Sequence, residues 1–560
     1  MSTSQPDSLL PDEPISHDEN QQETHQKVAQ ATSVLALGNI ISRVLGLLRE
    51  VVLTNLFGAG VASDAFKIAT IIPRTIYDLL IAGHVNGAII PVLTEVIEKK
   101  GRDELWRLVS ILISIVTAVM AILVILLQIS APLMVFIFGG GKSLEAQSLA
   151  VDLLRMTSPA LIFMGLFSVI SGTLYALRSF TWPAFATSVF NAVIVLVALL
   201  FSPAPEYTVQ VSANYHVSWV LTRPDDGITI LALGWVLGSV AYVVFQLPGL
   251  RGAKIRPTLN WNHPDIKRIG MLYIPVMFSL VMDTLIIRPF SYNLASGTGA
   301  GSISHMDYAT TLIQFPQGLV ATAISIAILP TLARQAVALN NQNDYKDTLG
   351  LGMRLTISLI LPATVGLFVL GYPIIALLFE HGAFTPENTA ITVTALRFYL
   401  IGLPFAALDL LMVYAFYARQ DTLTPALIGL FSLVIYMIVA VVLLPSYGLY
   451  SLMIADSVKH IVHAAISAYL LQRLVGGFGS QRLLSTTFKT GLAVIVMGIV
   501  ASVLLPIAEG LLNTTNILHE LLIVLGVGGV SVVIFFIMAW ILRIQEWYWF
   551  VSILRKRSKK

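Results

Sequence analysis

Apolar runs of about 20 residues recur along the chain from residue 29 to residue 545. Each is long enough to cross a hydrocarbon core roughly 30 Å thick. The runs are continuously apolar and lack the short in-out alternation of a membrane barrel, so helices are the structure that satisfies their backbone amides in lipid. Fourteen spans are predicted, at 29–57, 63–97, 105–130, 145–177, 183–202, 228–249, 266–293, 304–336, 348–370, 386–417, 424–444, 449–472, 484–507 and 517–542. Several exceed a straight crossing and contain Gly or Pro, which predicts tilted or broken helices.

Composition agrees with an all-α polytopic membrane protein: 56% of the 560 residues are hydrophobic and 12% charged, against about 25% charged in soluble proteins. Residues 1–27 are rich in Ser, Gln, Pro, Asp and Glu, the composition of a disordered tail. There is no cysteine, so disulfides and thiolate metal sites are excluded. The histidines show no ligand spacing and no catalytic constellation or ATP-binding motif is present, so neither an enzyme nor a metal protein is expected, and no nucleic-acid partner.

Charge in the loops sets the expected orientation. Lys99, Lys100, Arg102 and Arg107 follow span 2; Arg251, Lys254, Arg256, Lys267 and Arg268 follow span 6; Arg473, Arg482 and Lys489 follow span 12; and the chain ends on Arg555, Lys556, Arg557, Lys559 and Lys560. Loops on the other side carry little beyond Lys142 and Arg223. The positive-inside rule then puts both termini in the cytoplasm with an even number of spans.

An internal repeat appears when spans 2 and 8 are aligned. "DAFKIATIIP" (64–73) and "DYATTLIQFP" (307–316) both run from Asp to Pro in nine steps, and "YALRSFTWP" (175–183) echoes "YARQDTLTP" (417–425), at offsets of about 242 residues. A duplicated six-helix unit in parallel orientation follows, with two C-terminal helices added. The expected organisation is a cytoplasmic tail (1–27), an N-terminal lobe (28–250), a cytoplasmic linker (251–263), a C-terminal lobe (264–472), two additional helices (473–546) and a basic cytoplasmic tail (547–560). Paired repeats enclosing a cleft point to transport by alternating access.

Ionisable residues inside the membrane cost several kcal/mol and face a cavity or a partner. Here they gather in the first two spans. Arg43 and Arg49 stand at two depths of one helix, about 9 Å apart along its axis. Asp64, Lys67, Arg74 and Asp78 fall at intervals of three, seven and four, one stripe of a helix that Pro73 interrupts. Asp64 is expected to pair with Arg49 or Lys67, and Asp78 with Arg74. The patch stays net positive, which suits an anion and above all a phosphate, whose oxygens match guanidinium forks. In the second half, Asp283 and Asp409 are candidates for a Na+ or H+ coupling site, set against a structural ion pair with Arg288 or Arg397. "SGTGAG" (296–301) reads as a flexible linker.

"SRVLGLLRE" (42–50), "FGAGVASDAF" (57–66) and "PVLTE" (91–95), with "FPQGLVATAISIAILPTLAR" (315–334) and "FYARQDTLTPALIG" (416–429), resemble the MurJ (MviN) family of lipid II flippases, within the superfamily that includes MATE antiporters and polysaccharide-lipid flippases. The resemblance covers roughly residues 29–545. It implies a bacterial inner-membrane protein with a cationic central cavity that carries an undecaprenyl-pyrophosphate-linked peptidoglycan precursor from the cytoplasmic to the periplasmic leaflet, with spans 13 and 14 forming a groove for its tail. It implies cavity roles for Arg43, Arg49 and Asp64. The chain departs from the family at Tyr77, Asp78, Thr310 and Thr311, where cations are usual, so Lys67, Arg74 and Arg288 are expected to replace them. The expected partners are that lipid-linked pyrophosphate and membrane lipids, acting on a monomer. A flippase for another lipid-linked oligosaccharide and a MATE-like cation-coupled drug antiporter stay open as alternatives.

Overall fold

The computed structural model describes residues 17–82, 89–201, 208–212, 215–218, 227–256, 258, 261–271, 282–337, 342–512 and 517–547. Nearly all of them are helical. In chain order the helices are α1 (His17–Phe57), α2 (Val61–Tyr77), α3 (Ile90–Lys100), α4 (Arg102–Gly139), α5 (Leu144–Thr157), α6 (Ala160–Ala176), α7 (Thr181–Phe201) and α8 (Gly227–Gln246), then α9, described over 264–271, and α10 (Arg288–Ser296). They continue with α11 (Ser302–Pro316), α12 (Ala323–Val337), α13 (Gln342–Val369), α14 (Gly371–Phe379), α15 (Pro386–Ala418), α16 (Leu423–Tyr447), α17 (Tyr450–Val475), α18 (Leu483–Leu511) and α19 (Ile517–Ile541).

Among the described residues nine helices are long and apolar enough to cross a membrane, ten if the bent pair α5 and α6 forms one span. The other predicted spans overlie helices that carry charge or are broken. Spans 2, 7 and 8 contain π-helical turns at Asp78–Ala82, Met282–Ile287 and Gln317–Thr322. Such turns loosen the backbone ladder and are common at functional sites. The π turns therefore fall in helices that carry intramembrane charges.

One expectation is corrected. Helix α1 spans His17–Phe57 and so reaches into the stretch read as a disordered tail; residues 17–27 contain Glu, Gln and Lys with no Gly or Pro, and these residue types favour helix. Within the expected all-α architecture one small element of strand occurs. The loop between α7 and α8 holds an antiparallel hairpin, β1 (Thr208–Ser212) with β2 (Tyr215–Ser218), whose Thr, Val and Tyr content suits strands.

The apolar core runs through both halves of the chain, from Leu53, Phe66 and Ile72 to Tyr308, Leu396 and Leu452. The last two helices pack on each other and on α13, with Met497, Phe535 and Ile523 buried between them. Outward faces stay apolar, as at Ile129, Leu484 and Phe488, which is what a lipid-facing surface requires. At one end, the segments following spans 2 and 6 are clasped by charge: Lys100 meets Asp265 at 2.7 Å, Arg268 meets Glu95 at 2.7 Å and Lys254 meets Asp103 at 2.8 Å.

Candidate functional site

The stripe on α2 makes contact with the second half of the chain at three stations. Fourteen residues separate its ends, Asp64 and Asp78, about 21 Å of helix rise. Each station meets a different part of α10 or α11.

At the middle station four charges alternate in sign. The Arg49 guanidinium lies 2.7 Å from one oxygen of Glu50, and the Lys67 ammonium lies 2.8 Å from the other. Lys67 then reaches Asp307 of α11 at 3.5 Å, so the chain of charge crosses from one half to the other. Tyr292 donates its hydroxyl to the Asp307 carboxylate at 3.0 Å. Arg49 also donates to the Asn191 side-chain oxygen at 3.2 Å and stacks over Trp235, while Lys67 stands 4.6 Å above the Tyr308 ring. Buried ions need such full pairing, because their desolvation cost is recovered only when every charge meets a partner.

The inner station joins Asp78 to Arg288 of α10 at 2.7 Å, with Arg74 at 4.0 Å. Arg74 is the most exposed of the three, with 56% of its side chain accessible. Arg43, six residues before Arg49, makes a further contact across the halves. It donates to the Gln314 carbonyl at 3.2 Å and lies against Gly318 in the π turn, where an added Cβ would stand 2.5 Å from its guanidinium carbon. Arg43, Arg49, Lys67, Arg74 and Arg288 thus face three carboxylates, Glu50, Asp78 and Asp307, and the cluster carries excess positive charge.

Asp64 does not join this cluster, contrary to the expected pairing with Arg49 or Lys67. It is fully buried at the outer station and meets Lys142 at 2.6 Å. Its carboxylate accepts from the backbone N–H of Gly301 at 2.8 Å, the N–H of Ser304 at 2.9 Å and the Ser304 hydroxyl at 2.8 Å. These are first-turn donors of α11, which the helix itself leaves unsatisfied and which favour an anion. Lys142 also donates to the Gly299 carbonyl at 2.5 Å. The "SGTGAG" segment is therefore a packed joint and not a flexible linker. Gly301 has φ of +78°, and a Cβ there would stand 2.5 Å from the Ala59 carbonyl, so both backbone conformation and space require glycine. The physical reason for the changed pairing is proximity: Glu50, next to Arg49 in sequence, neutralises Arg49 and Lys67 before Asp64 can.

Of the residues at the departures from the family, Asp78 reaches Arg288 of the other half, while the other three turn to their own helices or half. Tyr77 shares a 2.7 Å hydrogen bond with Ser168. Thr310 and Thr311 donate to the carbonyls of Met306 and Asp307, one turn back.

The expected ion pairs of Asp409 are also replaced. Arg288 is engaged with Asp78, and Arg397 donates to the Phe368 carbonyl and stacks on the Phe368 ring. Asp409 instead hydrogen-bonds to His463 of α17. The Asp283 side chain lies outside the described residues. No group of three or more metal-ligating side chains occurs among the described residues.

Sequence reasoning missed Glu50, Lys142 and His463 as partners. Glu50 stood in plain view in "LLRE", directly beside Arg49. His463 belongs to a run, Asp456, His460, His463 and Ser467, whose spacing of four, three and four is one helix face.

The family model described as Lipid II flippase MurJ matches residues 53–525. The Lipid II flippase MurJ of Burkholderia cenocepacia is 30% identical over 421 residues, covering 73% of this chain and 77% of that protein. Among solved structures, a lipid II flippase MurJ in an inward closed conformation superposes with a TM-score of 0.70 at 24% identity, over 90% of this chain and 98% of that one. An inward-facing multidrug resistance MATE family transporter of the MOP superfamily superposes with a TM-score of 0.62 at 16% identity, over 80% and 98% of the two chains. The two superpositions speak for the fold, and the sequence match, which extends over most of the chain, establishes that it belongs to the lipid II flippase MurJ family.

Proposed function

We propose that this chain flips a lipid-linked saccharide diphosphate of the lipid II type, from the cytoplasmic to the periplasmic leaflet of a bacterial cytoplasmic membrane, by alternating access. The observation that carries the reading is the cation-rich contact between the halves. Arg43, Arg49, Lys67, Arg74 and Arg288 lie where two repeats meet; the Gln314 carbonyl holds the first, and three carboxylates hold the other four without cancelling them. A diphosphate competes for these cations, because guanidinium and ammonium groups pair with phosphate oxygens at least as well as with carboxylates.

The three stations give the motion a physical basis. Asp64 with Lys142 and the α11 N-terminus closes one face. Lys67 with Asp307, and Asp78 with Arg288, tie the halves further in. When a diphosphate neutralises the inner cations, Asp307 and Asp78 lose their partners and the halves are free to separate. The clasped basic loops after spans 2 and 6 support a cytoplasmic assignment for that end and, with it, cytoplasmic termini. Spans 13 and 14, packed on α13 with apolar outer faces, suit a long prenyl tail. The excess positive charge disfavours cationic drugs as cargo.

The test is complementation in a bacterium whose own flippase can be depleted. The chain restores growth, and Arg49→Ala or Lys67→Ala at equal membrane levels does not. Failure of the unaltered chain, or full growth with both variants, overturns the proposal.

A further inference from the structure

A second set of ionisable groups lies inside the second half, away from the diphosphate-facing cluster. Asp456, His460, His463 and Ser467 occupy one face of α17 and span about 16 Å of its length, more than half of a hydrocarbon core. Asp456 holds Lys459 at 2.5 Å, and His460 stands 3.8 Å from the other Asp456 oxygen. The Nδ1 of His460 is buried without a hydrogen-bond partner. One turn further on, His463 Nδ1 is hydrogen-bonded to Asp409 of α15, and the Ser467 hydroxyl stands 3.3 Å from the same nitrogen.

We infer that the Asp409 and His463 pair is a proton-binding site, reached along the α17 face through His460, whose occupancy drives the transport cycle; the inference rests on the flippase reading above. The chemistry is that of one exchangeable proton. With His463 neutral and Asp409 ionised the pair carries a net charge of −1. Uptake of one proton gives an imidazolium beside a carboxylate and brings the pair to zero. A buried site gains most from that neutralisation, since an uncompensated charge is what a low-dielectric interior penalises. Exposure falls along the face, from 23% of the side chain at His460 to 11% at His463, so the pair forms the closed end of the file.

Helix α17 packs against α15 and α16. On α15 the ionisable side chains are Glu387, in its first turn, Arg397, turned to Phe368, the phenols Tyr399, Tyr414 and Tyr417, and Asp409 itself. On α16 they are Tyr436 and Tyr447, and the neighbour facing His463 Nε2 is Gly429, which offers no charge. On α17 itself, Lys459 is matched by Asp456, Arg473 stacks on Tyr469, and Tyr450 lies in the first turn.

A physical link joins this file to the diphosphate-facing cluster. Lys459 stands over the Tyr436 ring at 5.6 Å, and Tyr436 shares a 2.7 Å hydrogen bond with Ser291 of α10. Ser291 lies one helical turn from Arg288, the α10 partner of Asp78. A change in how α17 sits against α15 and α16 is thereby transmitted to the helix that joins the two halves. In the proposed orientation α17 runs from the periplasmic face inward, and protons pass inward in exchange for lipid moving outward.

The test uses the full-length protein in liposomes, with membrane potential clamped at zero and a tenfold proton gradient imposed. With one proton per lipid, the steady-state leaflet ratio of a lipid-linked disaccharide diphosphate shifts up to about tenfold. Asp409→Asn and His463→Gln are expected to abolish that shift while keeping gradient-independent exchange. Infrared titration of the same preparations supplies a readout independent of transport: a pH-dependent imidazole and carboxylate signal present in the unaltered protein and missing from both variants. A shift that survives in either variant, a shift produced equally by a sodium gradient at constant pH, or an unaltered infrared titration in the variants overturns the proton site. If the unaltered protein titrates as expected but moves no lipid, the flippase reading fails while proton binding stands.

Discussion

Replacing Asp64 with Asn removes one charge from the joint that closes the outer station and leaves its shape nearly unchanged. With its amide oxygen at the Oδ1 position Asn still accepts from the Ser304 N–H and hydroxyl, but its NH2 then stands where Oδ2 met Lys142 and the Gly301 N–H, so the 2.6 Å ion pair and the Gly301 hydrogen bond are both lost. Both side chains are at least 95% buried, with 5% and 1% accessible, and the stranded ammonium has no water to return to. Removing one member of a buried pair costs about 3–5 kcal/mol. Taking the lower figure because the amide retains its bonds from Ser304, the closed arrangement weakens by at least about 3 kcal/mol, roughly a hundredfold in the closed-to-open ratio. The chain has no cysteine, so a single reporter gives a clean signal. Ser302→Cys places a thiol in the buried first turn of α11. Its alkylation rate by a membrane-impermeant maleimide is expected to rise steeply in Asp64→Asn. Adding Lys142→Met should bring the rate part of the way back, because no unpaired charge remains. A rate within twofold of the parent, or one that Lys142→Met raises further, refutes the lock.

Further outcomes follow from the other stations. Glu50→Ala strands two cations at once and is expected to cost about 3–5 kcal/mol of stability in detergent, read as a large fall in thermal midpoint; Glu50→Gln, which keeps the volume, should lose most of the same stability, and a midpoint unchanged in both contradicts the charge chain. Gly318→Ala must displace the Arg43 guanidinium, and complementation should drop to the level of Arg43→Ala with membrane levels intact. Exchanging the inner pair, Asp78→Arg with Arg288→Asp, should recover transport that each single change abolishes, since the 2.7 Å contact is retained with reversed sign; the absence of any recovery indicates that the two groups serve separate roles.

The stripe on α2 was legible because helical periodicity alone puts Asp64, Lys67, Arg74 and Asp78 on one face. Their partners were not, because spacing along one helix says nothing about which residue of another helix arrives opposite. Arg288 was expected to enter the cluster and does so through Asp78. Lys142 entered only as a charge in a loop, and only tertiary packing shows that it is folded against "SGTGAG". Glu50 points away from the stripe of Arg43 and Arg49, since adjacent helical positions differ by about 100°, so it was overlooked beside the residue that it neutralises. The interruption at Pro73 in span 2 was readable, and Gly and Pro marked several spans as tilted or broken, whereas the π-helical turns of spans 2, 7 and 8 were not readable.

The most direct test of the central claim is leaflet exchange of defined lipids by the purified protein in liposomes, comparing an undecaprenyl-linked disaccharide diphosphate, the same lipid as a monophosphate, and a zwitterionic phospholipid. The diphosphate should cross fastest, and Arg49→Ala should abolish its movement while the phospholipid rate stays at background. Equal rates for all three lipids, or full diphosphate exchange in Arg49→Ala, contradicts a cation-lined diphosphate path.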